Sequence, residues 1–106
     1  MNIDFSGRTA IVTGAAHGFG RAISLAFATR GAHVWACDVI EDEVHETREL
    51  CRSAGGKCTA RVLDVRDKAG VDACVGDAGA VDILVNNAGG VLSQVGRPLE
   101  EITPAQ

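Results

Sequence analysis

The sequence predicts an α/β protein built on a doubly wound parallel sheet, present in part as β-α-β-α-β-α-β. Three features of the chain carry this prediction. Short apolar runs alternate with longer amphipathic segments through most of the 106 residues, and strands separated by helices pair in parallel through right-handed crossovers. The strand candidates are near-continuous apolar runs, as expected for strands covered on both faces. A glycine-rich turn stands between the first strand and the first helix, at the strand end where such sheets bind ligands.

Each element follows from local chemistry. Thr9-Ala10-Ile11-Val12-Thr13 is a β-rich run stopped by Gly14. Residues 18–30 place Ala22, Ile23, Ala26 and Phe27 at helical spacing, with Gly31 as the C-terminal stop. His33-Val34-Trp35-Ala36-Cys37 is the second strand, ending at Asp38. The second helix covers 41–54. Glu41, Asp42 and Glu43 occupy its first turn, where acidic side chains suit the helix dipole. Val44, Thr47, Arg48 and Cys51 share one face, so its apolar stripe is thin, and Gly55-Gly56 ends it. Thr59-Ala60-Arg61-Val62-Leu63 is the third strand, closing on Asp64-Val65. A short helix over 67–79 carries Val71, Cys74, Val75 and Ala78 on one face. Val81-Asp82-Ile83-Leu84-Val85 is the fourth strand, followed by Asn86-Asn87-Ala88-Gly89. Beyond it the chain reads as loop, then a turn or helix start at Leu99-Glu100-Glu101-Ile102-Thr103-Pro104.

Composition removes several functional classes. Net charge is −4 with no dense Lys/Arg cluster, so no nucleic-acid footprint is expected. No apolar stretch has the length of a membrane span, and the N-terminus lacks the basic, then apolar order of a signal peptide. Cys37, Cys51, Cys58 and Cys74 contain no C-x-x-C pair, which argues for reduced, buried thiols in a cytoplasmic protein rather than a metal or redox centre. His33 and His45 read as structural or solvated, and no metal site is expected. The sequence holds no tyrosine, so a mechanism needing a tyrosine proton donor lies outside this chain acting alone.

The turn reads Thr13-Gly14-Ala15-Ala16-His17-Gly18-Phe19-Gly20. Gly14 permits a tight turn, Gly18 lets a pyrophosphate approach the backbone, and Gly20 lets the helix pack closely on the sheet. The helix N-terminus adds unpaired N–H groups and partial positive charge. The pattern T-G-x-x-x-G-x-G, followed in order by Asp38, Asp64-Val65 and Asn86-Asn87-Ala88-Gly89, resembles the short-chain dehydrogenase/reductase family over the whole chain.

The resemblance implies a Rossmann-type fold and a nicotinamide dinucleotide in contact with Gly14, His17, Gly18, Phe19, Gly20, Asp38, Asp64, Val65 and Asn87. Asp38 would accept from the adenosine ribose hydroxyls and repel a 2′-phosphate, favouring NAD over NADP. The next residue is Val39 rather than Arg, which removes a common phosphate partner. His17 would blunt the preference if protonated; as an exposed neutral loop residue it would not. A strand-end or capping role is the competing reading for Asp38. For Asp64, adenine recognition and helix capping both stand. Asn87 would lie near the ribose, Asn86 would bond within the sheet, and Thr13 would tie the first strand to this segment.

The family's catalytic Tyr, the Lys four positions after it, and the matching Ser and Asn have no counterpart here; the lysines Lys57 and Lys68 fall in the cofactor half. The expectation is therefore that residues 1–106 are the N-terminal part of a single NAD-binding Rossmann domain, carry no catalytic residue and do not turn over alone. The implied activity is hydride transfer between nicotinamide and an alcohol or ketone. The alternatives are a noncatalytic NAD-binding module or an inactive truncated product. A homo-oligomer is expected for a complete family member. Alone, the fourth strand would leave Ile83-Leu84-Val85 as an apolar edge and the fold marginal.

Overall fold

A computed structural model of the protein describes residues 3–87. The elements run β1 (Thr9–Thr13), α1 (Gly18–Thr29), β2 (His33–Asp38), α2 (Glu41–Ser53), β3 (Lys57–Val62), α3 (Lys68–Ala78) and β4 (Ile83–Asn86). The expected turn or helix at 99–104 lies outside the described residues, as do Ala88 and Gly89.

The four strands form one parallel sheet in the order β3-β2-β1-β4. The first two crossovers step outward to β2 and β3, and the third returns to the other side of β1. Right-handed crossovers then put α1 and α2 on one face and α3 on the other. Strand alternation divides the core accordingly. Val12, Val34, Ala36 and Cys58 join Ala28, Val44 and Cys51 on the first face. Ile11, Cys37 and Leu63 join Cys74 on the second, flanked by Trp35 and Val71. All four cysteines are free and buried, with the Cys37 and Cys74 sulfurs 3.9 Å apart. Burial and the neighbouring thiol push Cys37 upward from its ordinary pKa, so it stays a thiol.

The packed face of α1 differs from the expected one. Gly20, Ser24 and Ala28 are fully buried, with Ile23 and Phe27 partly so, while Ala22 and Ala26 are exposed. Residues four apart with little or no side chain let the helix approach the sheet closely, and that outweighs the larger apolar area of the other stripe. The Ser24 hydroxyl is satisfied within the helix, donating to the Gly20 carbonyl at 2.8 Å. The face expected for α2 is present, with Val44, Thr47 and Cys51 buried and Arg48 half-buried. On α3, Cys74 is buried but Val75 is 44% exposed.

β4 begins two residues later than its apolar run suggests, because Asp82 clasps the start of β1. Its N–H donates to the Thr9 carbonyl at 2.9 Å, and its carboxylate accepts from the Thr9 N–H at 2.9 Å. Ladder pairing then starts at Ala10 with Ile83. β3 begins earlier than expected, at Lys57, since His33 already pairs with it there.

Candidate functional site

A parallel sheet gathers the carboxyl ends of its strands on one edge. Thr13 is level with Cys37 of β2 and with Asn86 of β4, and Asp38 is level with Val62 of β3. The glycine-rich turn, Asp38, Asp64-Val65 and Asn87 therefore meet at this edge. β1 has neighbours reached in opposite directions, so the meeting point is the switch point of the sheet, where open α/β sheets form a crevice.

The turn is held from several sides. The Ala15 N–H donates to the Cys37 carbonyl at 3.0 Å, and the Ala16 N–H donates to Asp38 Oδ2 at 3.0 Å. Asn87 Nδ2 donates to the Gly14 carbonyl at 3.4 Å. Gly18 has φ +57° with open space where a Cβ would stand, which makes glycine the residue suited to this bend. At Gly20 a Cβ would run into the backbone carbonyl of Gly14, so the return of α1 beneath the turn requires a bare backbone. The first N–H groups of α1 have no partner within the helix and stand at its positive end.

Asp38 spans two elements. Oδ2 holds the turn, while Oδ1 accepts from the N–H groups of Val39 at 2.7 Å and Ile40 at 3.2 Å. It thus also organises the entry to α2, whose N-terminal cap is Ile40. His17 is exposed but not isolated, since its Nδ1 lies 2.8 Å from Glu43 Oε1. Phe19 is 75% exposed at the same edge. Thr13 ties β1 to the end of β4, its hydroxyl 3.1 Å from Asn86 Oδ1 and accepting from the Asn87 N–H at 2.9 Å. Val65 lines an apolar groove with Thr13, Asn86, Leu63, Val75 and Leu84 on the α3 face.

Asp64 does not cap α3. The cap position is Asp67, and both Asp64 oxygens turn instead to Arg66, at 3.1 Å and 2.8 Å from its guanidinium and 2.9 Å from its N–H. These hydrogen bonds hold the Asp64 pKa down at about 2.

Sequence reasoning missed three residues that shape the turn. The fully buried Thr47 hydroxyl lies 2.7 Å from the Ala15 carbonyl and 3.2 Å from that of Ala16. Arg21 Nε donates to the same hydroxyl at 3.0 Å, and Arg21 Nη2 reaches the Glu43 carbonyl at 3.0 Å and the Glu46 carboxylate at 2.8 Å. Glu43 adds its side-chain pairing with His17. A signal existed for Thr47, because a polar residue on the apolar face of a helix must find a partner inside.

The family model for short chain dehydrogenase matches residues 8–106. The chain belongs to the short-chain dehydrogenase/reductase family. Among its curated relatives is Oxidoreductase UcpA of Escherichia coli strain K12, 44% identical over 88 residues that cover 79% of this chain and 33% of the relative. Hydroxysteroid dehydrogenase from Escherichia coli superposes with a TM-score of 0.76 at 36% identity, over 84% of this chain and 40% of the other. Carveol dehydrogenase from Mycobacterium avium, solved in complex with NAD, gives a TM-score of 0.68 at 32% identity, over 79% of this chain and 36% of the other. This short-chain dehydrogenase/reductase chain spans about a third of the length of the curated relatives it matches. Among the described residues no helix is long and apolar enough to cross a membrane.

Proposed function

We propose that the chain is the cofactor-binding portion of an NAD-dependent oxidoreductase that passes hydride between nicotinamide and an alcohol or ketone. The observation that carries the reading is the pinned glycine turn beside the Asp38 carboxylate at the switch point of the sheet. A dinucleotide suits the residues present. Its pyrophosphate would lie against Gly14, His17, Gly18, Phe19 and Gly20, where the space at Gly18 is open and the first N–H groups of α1 offer donors. Asp38 would accept from a ribose hydroxyl of NAD. Each carboxylate oxygen has two acceptor sites, so with Val39 and Ile40 on Oδ1 and Ala16 on Oδ2 one site on Oδ2 stays open. Asp64 and Val65 would flank adenine, and Asn87 would stand near the ribose. The bound cofactor would supply the hydride acceptor or donor. The chain's own residues bind and orient it, and they include no tyrosine to move a proton at the substrate oxygen.

NAD is favoured over NADP because a 2′-phosphate would meet the Asp38 charge, with Glu41, Asp42 and Glu43 following in the first turn of α2. The Glu43 carboxylate paired with His17 supports this by placing a further negative group beside the imidazole. Calorimetry should show NAD binding about tenfold or more tighter than NADP, the scale of a lost charged hydrogen bond. Asp38→Asn should weaken NAD and narrow the difference. Equal affinity of the unaltered chain for both cofactors would overturn the NAD assignment.

A further inference from the structure

One fully buried polar side chain that reaches the turn belongs to α2, not to the turn itself. Thr47 has no exposed surface, and its hydroxyl is the junction between three segments. Its proton is directed at the Ala15 carbonyl 2.7 Å away, with the carbonyls of Ala16 and Glu43 each at 3.2 Å. Its lone pair accepts from Arg21 Nε at 3.0 Å. Arg21 is itself fixed by the Glu43 carbonyl and the Glu46 carboxylate, so the hydroxyl cannot turn away without losing a charged donor.

The consequence lies in the peptide planes. A trans peptide is flat, and its N–H points opposite to its C=O. The plane joining Ala15 and Ala16 is gripped at both ends, the carbonyl by Thr47 and the N–H by Asp38. The next plane turns its Ala16 carbonyl toward Thr47, which sends the His17 N–H to the opposite, outer side. We infer that Thr47, anchored by Arg21, is a positioning residue for phosphate recognition: it holds the Ala15 carbonyl inward, with that of Ala16 beside it, and so sends the His17 N–H outward before any ligand arrives. The inference rests on the dinucleotide reading above and assigns a new part of that site to a helix residue well downstream of the glycine motif. Preorganised donors gain affinity because their ordering is already complete in the free protein.

The test compares ADP, which carries the pyrophosphate, with adenosine, which lacks it, by amide NMR titration of the chain and its variants. Thr47→Val keeps the shape and removes the hydroxyl. It should weaken ADP about tenfold, the scale of one lost buried hydrogen bond, while adenosine affinity stays within about twofold. Thr47→Ser should restore ADP binding. Unchanged ADP affinity in Thr47→Val, or an equal loss for ADP and adenosine, would overturn the inference and leave the dinucleotide reading intact. Should Thr47→Val lose its dispersed amide spectrum, Arg21→Met carries the test, with an ADP-selective loss expected and an equal loss for both ligands overturning it. Failure of the unaltered chain to bind either ligand would overturn the dinucleotide reading itself.

Discussion

Individual side chains here take their chemistry from single neighbours. Asp64 is held at a pKa of about 2, below its ordinary 3.8, by hydrogen bonds from Arg66. Its pairing is therefore complete above pH 3.8 and is lost as pH falls toward 2. NMR titration should find the Asp64 midpoint near 2, and Arg66→Ala should return it toward 3.8. His33 shifts for a different reason. Partial burial, and then the Lys57 charge, lower its pKa from the ordinary 6.5. Its ring pairs with the Thr59 hydroxyl at 2.9 Å and lies against Trp35. The unfolded chain takes up this proton more readily than the folded one, so stability should decline as pH drops through 6.5. Urea midpoints at pH 7.5 and 5.5 should separate more in the native chain than in His33→Gln; equal separations would remove His33 from the account.

Among the elements, α1 illustrates how backbone approach governs which face is buried. Small residues at Gly20, Ser24 and Ala28 set the approach, and the apolar stripe suggested by Ala22 and Ala26 remains outside. The two site glycines respond differently to a methyl group. Gly20→Ala drives a Cβ into the Gly14 carbonyl and its carbon, which are backbone and cannot step aside. A loss of about 3 kcal/mol is expected, the upper end of overpacking costs. Gly18→Ala meets no atom within 4 Å but keeps φ at +57°, a strain of about 1 kcal/mol. Urea unfolding of both variants should reproduce this order. The element types and their order were readable from the sequence because period and glycine placement are local properties. The first residues of β3 and β4 were not, since the pairing of His33 with Lys57 and the Asp82 clasp on Thr9 depend on partners far along the chain.

At the scale of the whole molecule, the sheet has unequal faces. The α1 and α2 side is closed, with Val12, Val34 and Val44 fully buried. The α3 side ends in a groove where Leu84 and Val75 are about half exposed and Leu63 is 8% exposed. β4 is the outer strand of the described sheet, so the apolar edge expected at residues 83–85 is present at Leu84. A cavity costs most where its walls cannot collapse. Val34→Ala should therefore cost about 2 kcal/mol despite removing only two methyl groups' worth of volume. Leu63→Ala removes more atoms but opens onto the groove, and should stay near the low end of the range for its type, about 2 kcal/mol. Chemical denaturation of the two variants measures the comparison.

The sequence by itself determined the alternation of elements, the doubly wound class, the family, and the presence of Gly14, Gly18, Gly20, Asp38, Asp64, Val65 and Asn87 at strand ends. Those properties are written in neighbouring residues and fixed spacings. Only the tertiary structure decided how the turn is held. Thr47 and Arg21 reach it from α2 and α1, Glu43 takes His17, Asp38 grips Ala16, and Asp64 is drawn to Arg66 rather than to α3. The physical reason is that a hydrogen-bonding side chain pairs with whatever polar group folding brings within about 3 Å, and distances of that kind between distant segments are set by the packing of helices on the sheet.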